Sequence, residues 1–457
     1  MKGRTGMTLL LSLSLLSCRK YLAKVSSQSL IIPSTVSDYQ GLLDNDIIFE
    51  TSTPGLGPLG VDDYYLSYTN WLSLSAPSST AYNWQADIFQ GQPSSSWNNP
   101  YSAIFYCNVV LAGIGDAVID SGGQAAYNLV WGTALFYRAL HCYYLEETFG
   151  QPYRPATAVS DPGIPLPLTD NTNQPVTRAT VQEVYRQIIH DDSMAIALLP
   201  VGIQWANPNR PCRPAAYALL ARVYLTMQDS ANAERYADSC LNLYSTLVDY
   251  NNVDSTEPHP FPLTGNKEVL LACSAYNYPV MYNAMAEVDS DLYRSYAIND
   301  LRRAVFFRPA PSGDGGVCFK GNYTGQLYLF SGLAVDEVYL IRAECRARSG
   351  NIAGAMNDLN TLLSSRWRSG TFQPYTAATA DQALALVLTE RRKETLFREL
   401  RWSDLRRLNQ DQRFAISLIR VLTEHVDTLP PLDDRYTYPI PENEIQLSGI
   451  LQNQRNP

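Results

Sequence analysis

"LLARVYLTMQDSANAERYADSCL", residues 219–241, and "LIRAECRARSGNIAGAMNDLNTLL", residues 340–363, are two copies of one unit. Set one above the other, Ala221 falls on Ala343 and Ala233 on Ala355. Each copy holds an apolar-periodic run, a short polar turn and a second apolar-periodic run. That is the pattern of two antiparallel helices, and small residues on their facing sides let them approach closely.

This is the logic of the tetratricopeptide helix pair. The copies lie far apart, so the array is not a plain tandem solenoid. "TALFYRALHCYYL" (133–145) and "EVYRQIIHDDSMAIALLP" (183–200) read as a third pair, split by a Pro-rich insert from Pro152 to Pro175 and closed by Pro200. Helical spacing also runs through "SAIFYCNVVLAGI" (102–114) and over 381–409. Residues 51–100 and 250–330, rich in Pro, Gly and Tyr, read as long loops with short helices. "GLGPLG" (55–60) formally matches a dinucleotide-binding fingerprint, but no strand precedes it and Pro58 interrupts the turn.

The chain of 457 residues carries a net charge of -9, which argues against a nucleic-acid binder. At 17% charged residues it is sparing with charge, and its 30 Tyr suit either helix packing or wet recognition surfaces. The N-terminus reads as a targeting segment. Lys2 and Arg4 precede a short apolar run, Met7 to Leu16, that ends in Ser17-Cys18. A small residue before a Cys in that setting resembles a bacterial lipoprotein cleavage site, with Cys18 as the acylated first mature residue. Two or three acyl chains give a stable anchor. The other seven cysteines show no C-x-x-C and no regular framework.

Charge concentrates in "TERRKETLFRELRWSDLRR", residues 389–407. Leu388, Leu396, Leu400, Leu405 and Leu408 recur near helical spacing along and beside it, and both signs of charge are mixed. The pattern favours a docked structural helix laced with ion pairs, Asp404 three residues from Arg401 among them. No metalloprotease, nucleophile-elbow or Walker motif occurs, and no His pair has metal-ligand spacing. Nothing in the sequence calls for a cofactor. Glu146-Glu147 could serve a glycosidase in principle, but adjacent helical positions point apart, and the pair reads as a solvated face.

The same charged stretch resembles the C-terminal signature of the SusD/RagB family, outer-membrane lipoproteins that capture nutrients for a TonB-dependent transporter. "ALFYRALHCYYLEETFGQPY", "EVYLIRAECRARSGNIAGAMNDLNTL" and "YPIPENEIQLSGILQNQRNP" agree with other parts of the family, in the family's order. Glu399 stands where the family commonly has Gly, and Gln151-Pro152 replaces its Gly-Asp-x-Pro turn. The resemblance implies a mainly α fold: tetratricopeptide-like helix pairs as scaffold, with long irregular loops and small β-hairpins. It implies a signal peptide at 1–17, a tether at 18–37, and one compact unit with an N-terminal part (38–250) and a C-terminal part (251–457). It also implies a SusC-like transporter as partner, an oligosaccharide or peptide as ligand, lipid anchoring to the outer membrane with the protein facing outward, and no catalytic residues.

Sugar binding without catalysis needs flat aromatic platforms and a few hydrogen-bonding side chains in a loop-built cleft. The loop-rich region 61–101 offers Tyr64, Tyr65, Tyr68, Trp71, Tyr82, Trp84 and Trp97, the last, with Tyr101, read as core; the second offers Tyr276, Tyr278, Tyr282 and Tyr293. Trp71, Tyr82, Trp84, Tyr276 and Tyr278 are the expected ligand-binding residues. The rival readings are a surface glycosidase and a helical scaffold that binds only a protein.

Overall fold

The computed structural model describes residues 33–455 apart from Glu50, Leu263, Asn283 and Glu424. The targeting segment with Cys18, and the side chain of Tyr282, lie outside the described residues. The longer helices are α1 (Val36–Leu43), α2 (Ser95–Gly113), α3 (Gly123–Phe149), α4 (Val181–Leu198), α5 (Arg213–Thr226), α6 (Ser230–Leu243), α7 (Val335–Arg348), α8 (Ile352–Ser364), α9 (Ala380–Glu394) and α10 (Arg401–Leu408).

The two repeat copies form the hairpins α5–α6 and α7–α8. Ala221, Ala233, Ala343 and Ala355 are all fully buried, as close helix approach requires. Both turns are built alike. Asp229 and Asn351 cap the second helix of each pair by accepting from the backbone N–H of Asn232 (3.1 Å) and Gly354 (3.0 Å). The residue before each cap is left-handed: Gly350 at φ 84° in one copy, Gln228 at φ 62° in the other. Glycine takes that conformation without steric penalty, so the first copy carries a small strain that the second avoids.

Helices α3 and α4 form the third pair. Arg138 of α3 grips Asp191 of α4 through Nε (2.7 Å) and Nη2 (2.8 Å) in their buried interface. Thr180 and Glu183 form a capping box at the start of α4. Helix α6 packs on α7, which joins the two repeat copies in space although about ninety residues separate them in the chain. The α7–α8–α9 junction holds its own apolar cluster, with Leu340, Leu359, Leu384 and Val387.

The strands form antiparallel pairs: β1 (Tyr64–Tyr65) with β5 (Glu287–Val288), β2 (Pro162–Pro165) with β3 (Arg178–Thr180), β4 (Val269–Leu271) with β8 (Leu333–Ala334), β6 (Phe307–Pro309) with β7 (Val317–Phe319), and β9 (Leu418–Leu422) with β10 (His425–Leu429). β1–β5 and β4–β8 join segments distant in sequence: the first ties the two loop regions together, and the second fastens residues 269–271 to the start of α7.

Two expectations need correction. The helical spacing over 381–409 is not one helix. The chain breaks between Glu394 and Arg401, where Phe397 (φ 56°) and Glu399 (φ 63°) both adopt the left-handed conformation. No Gly or Pro marks the break; buried ion pairs hold it instead, as described below. Glu146 and Glu147 are not on a solvated face, because the last two-thirds of α3 is buried on every side. Glu146 Oε2 accepts the Ile164 N–H (3.0 Å), and Glu147 Oε1 accepts the Tyr185 hydroxyl (2.6 Å). Burial pushes the Glu146 carboxyl up to about 8, against the pull of Arg406.

Glu399 sits left-handed where the family commonly has Gly, and burial pushes its carboxyl well above the usual range while Oε1 finds no partner. Glu399→Gly should therefore raise the stability measured by urea unfolding, by roughly 1 kcal/mol. A lower midpoint would show that the side chain contributes packing that outweighs the strain.

Candidate functional site

Of the five aromatic residues expected to touch ligand, three are core. Trp84 is 1% exposed and its Nε1–H donates to the Gly60 carbonyl (2.9 Å). Tyr82 is equally enclosed, its hydroxyl accepting from the Leu66 N–H (3.0 Å). Both rings hold the Arg420 guanidinium, 4.2 Å from the Tyr82 centroid and 5.3 Å from that of Trp84. Arg420 lies on β9 and donates to the Tyr64 carbonyl (2.7 Å), so the two rings seat the β9–β10 hairpin. Tyr278 is also buried, with its hydroxyl 2.8 Å from Ser96 Oγ. Tyr276 is half-buried and meets Tyr278 edge-on at 5.1 Å. The expectation that Tyr82, Trp84 and Tyr278 offer faces to a ligand does not fit this burial. Trp97 is core at the start of α2, in line with its reading.

The glycines of "GLGPLG" have a packing use. A Cβ on Gly60 would come within 2.7 Å of the Trp402 ring, and one on Gly55 within 1.8 Å of the Tyr276 carbonyl. Chain and ring approach too closely there for any side chain.

The loop aromatics that do reach solvent lie earlier. Tyr68 and Trp71 sit on a one-turn helix, Tyr68–Leu72, whose first turn is capped by Ser67. Their spacing of three puts them on one face. The rings stack at 5.9 Å and 23°, and Tyr68 is 42% exposed. Trp71 is fixed by its Nε1–H donating to the Ser79 carbonyl (3.1 Å). Beside them Tyr65, on β1, is partly exposed and donates its hydroxyl to Glu287 Oε2 on β5 (2.8 Å). Burial and that hydrogen bond push the phenol up to about 12, so it stays a donor at any physiological pH.

A cavity of about 390 Å³ opens in the same strand region, among the 256–259 loop, residues 281–286 and the β6–β7 hairpin, with Phe397 in its wall. Met281, Leu327, Leu329 and Phe319 line it, together with Arg308, Lys320, His259 and Asn322. Those four polar residues lie outside the aromatic pattern of the two loop regions. No motif or periodicity marks them, and only folding brings 256–259, 308 and 320–322 together. Ala286, adjacent to Glu287, lines this cavity, which links it to the Tyr65 neighbourhood.

Among the described residues, no group of three or more His, Cys, Asp and Glu side chains converges as metal ligands would. His141 is buried in α3 and stacked on Tyr137; burial holds its imidazole down at about 3. His190 is exposed, and His425 pairs with Asp427 on the exposed β9–β10 hairpin (2.9 Å). Cys142 and Cys345 are buried in helix interfaces, where they act as small apolar groups.

Residues 20–225 match a SusD-like family profile described as starch-binding associating with outer membrane, and residues 336–457 match the SusD family profile. The chain belongs to the SusD family. It is 23% identical over 376 residues to SusD-like protein P2 of Formosa agariphila, a match covering 70% of this chain and 72% of that one. The fold is shared with a SusD superfamily protein from Bacteroides vulgatus (TM-score 0.73, 22% identity, 93% of this chain and 100% of that one). It is shared as well with a SusD-like carbohydrate binding protein from the same species (TM-score 0.69, 20% identity, 91% and 96%). Surface glycan-binding protein A from Bacteroides fluxus is a third likeness (TM-score 0.68, 17% identity, 92% and 99%). At these identities the structural likeness speaks for the fold.

Because Trp84 is core, Trp84→Ala should lower the unfolding free energy by about 3–5 kcal/mol in denaturant titrations. A midpoint equal to that of the unaltered protein would mean that the ring is not packed as described.

Proposed function

We propose that the chain is a non-catalytic capture protein that binds an oligosaccharide on the Tyr68–Trp71 platform, with the neighbouring cavity taking part of the ligand. The observation that carries the reading is that stacked pair, with Tyr68 exposed and Trp71 half-buried. Flat rings held rigidly at a surface suit the C–H faces of sugar rings, and the adjoining Tyr65–Glu287 pair supplies hydrogen-bonding edges. Two of the similar structures are named as carbohydrate- or glycan-binding proteins, which supports the same ligand class. Of the five residues expected from sequence, this reading keeps Trp71 as a ligand contact and leaves half-buried Tyr276 as a secondary candidate.

The protein would act as part of an outer-membrane uptake system, delivering its ligand to a SusC-like TonB-dependent transporter. It would be held there by acyl chains on Cys18, facing outward. Cys18→Ala should release the protein from the outer-membrane fraction; retention through a high-salt wash would contradict the anchor.

Calorimetry against a panel of neutral and acidic oligosaccharides tests the ligand class. Trp71→Ala and Tyr68→Ala should each weaken binding of the panel's best ligand about tenfold or more, since stacking on one aromatic ring is worth on the order of 1 kcal/mol or above. Melting should change little, because both side chains are partly exposed. Binding of peptides with no response to any sugar would replace the glycan reading with a peptide one. Turnover of a bound glycan would replace it with an enzyme.

A further inference from the structure

The cavity beside the aromatic platform has a polar composition that neutral sugar binding does not require. Arg308, half-exposed on β6, lines it and makes no ion pair and no hydrogen bond through its side chain among the described residues. Most of the arginines in the C-terminal half of the chain are locked to carboxylates, so a guanidinium left without one in a cavity is out of pattern. Lys320 lines the same space. Its Nζ donates to the carbonyls of Ser255 (2.5 Å) and Glu257 (3.2 Å), which fixes the ammonium at the rim. Desolvation lowers the Lys320 pKa; Asp254 opposes the shift, and the positive charge of Arg308 adds to it. Two cations are therefore held near each other at some electrostatic expense.

Two polar atoms are also unused. Asn322 is only 7% exposed and its Oδ1 has no partner, and Nδ1 of the half-buried His259 has none either. Buried polar atoms normally find partners, and those that do not mark a place for a water or a ligand. The carboxylate lining the cavity is that of Glu257, which is exposed at the rim. The chain as a whole is strongly acidic, at -9. An anionic ligand would be repelled by most of this surface and accepted only where positive charge is concentrated.

We propose that this cavity is a subsite for an anionic sugar, with the Arg308 guanidinium and the Lys320 ammonium receiving an oxyanion carried on the ring. Arginine can take a carboxylate or a sulfate ester through two parallel N–H donors. Asn322 Oδ1 and His259 accept from ring hydroxyls, and Met281, Leu327 and Phe319 meet the apolar face of the ring. A volume of about 390 Å³ is small for a whole oligosaccharide, so the subsite takes one end of the chain while the Tyr68–Trp71 platform supports the rest. The inference rests on the glycan reading above.

The test is calorimetry on the full mature protein with three probes of matched length: tri-galacturonate, a sulfated galactose trisaccharide and neutral galactotriose. At least one charged probe should bind tenfold or more tightly than the neutral one, and comparing the two charged probes assigns carboxylate or sulfate. The preference should shrink at least tenfold in Arg308→Gln and weaken as salt rises, while the melting midpoint of Arg308→Gln stays at the wild-type value because the side chain has no partner to lose. Equal binding of neutral and charged probes, unaffected by Arg308→Gln, overturns the anionic subsite and leaves glycan capture standing. No binding of any sugar in the wider panel overturns glycan capture itself. A fall in melting midpoint with unaltered selectivity would make Arg308 structural and also overturn the proposal.

Discussion

Glu394 lies between two arginines, and all three side chains are fully buried. Its Oε1 accepts from Arg366 Nε (2.7 Å) and its Oε2 from Arg302 Nη1 (3.0 Å). Arg302 also takes both oxygens of Asp300 and one of Glu390, and Arg366 takes Glu268. Arg398 extends the network to Asp336 at the start of α7 (2.7 Å), and its guanidinium lies 3.8 Å from the Tyr323 ring centroid. Taking so many charges out of water is costly, and the arrangement holds only because nearly every donor meets an acceptor. Burial would raise the Glu394 carboxyl, but the guanidiniums of Arg366, Arg302 and Arg398 outweigh it and hold the group down at about 2. Its contribution is therefore present above the ordinary carboxylate pKa and is lost as pH falls toward 2. Glu344, held at about 2 against burial by Arg407 and Arg348, runs the same way. Asp336 runs the other way. Burial, against the pull of Arg398, raises it to about 7, so its share is lost as pH rises through neutrality.

The network explains why charge is concentrated in residues 389–407 of a chain otherwise sparing with it. The stretch also binds α7, the end of α3 and the loop before β1. Arg391 and Arg407 meet at Asp404, and Arg407 continues to Glu344 on α7. Arg406 donates to the Glu147 and Gly150 carbonyls at the end of α3. Arg392 and Arg401 reach Asp63 and Asp62, which fixes the loop just before β1 and hence the base from which Tyr65, Tyr68 and Trp71 project. Phe397, left-handed in the break between α9 and α10, is the member of the stretch that reaches the cavity wall among otherwise structural neighbours. The stretch is scaffolding that sets the position of a binding surface made elsewhere.

The helical scaffold was legible because its signals are local. The paired alanines, the short polar turns and the apolar periodicity all lie within one hairpin, and the structure returns each as a helix pair. Ion-pair partners were less legible. Asp404 was expected to serve Arg401 by spacing, yet Arg401 takes Asp62, more than three hundred residues away, and Asp404 takes Arg391 and Arg407. The site was least legible. A loop rich in Trp and Tyr looks the same in sequence whether its rings face water or the core, and Tyr82 and Trp84 are core because Arg420 of a distant hairpin stacks on them. Glu146 and Glu147 misled for a related reason: α3 is enclosed by neighbours on all sides, which its own polar residues do not announce.

Urea unfolding of Arg366→Met at neutral pH, paired with ligand calorimetry on the folded fraction, tests the central claim most directly. Removing this one cation strands Glu268 in the interior and leaves Glu394 with Arg302 alone, so stability should fall by about 3–5 kcal/mol while the affinity of the folded protein stays within about threefold. An unchanged unfolding midpoint together with abolished binding would contradict the account and move the functional site into the charged stretch itself.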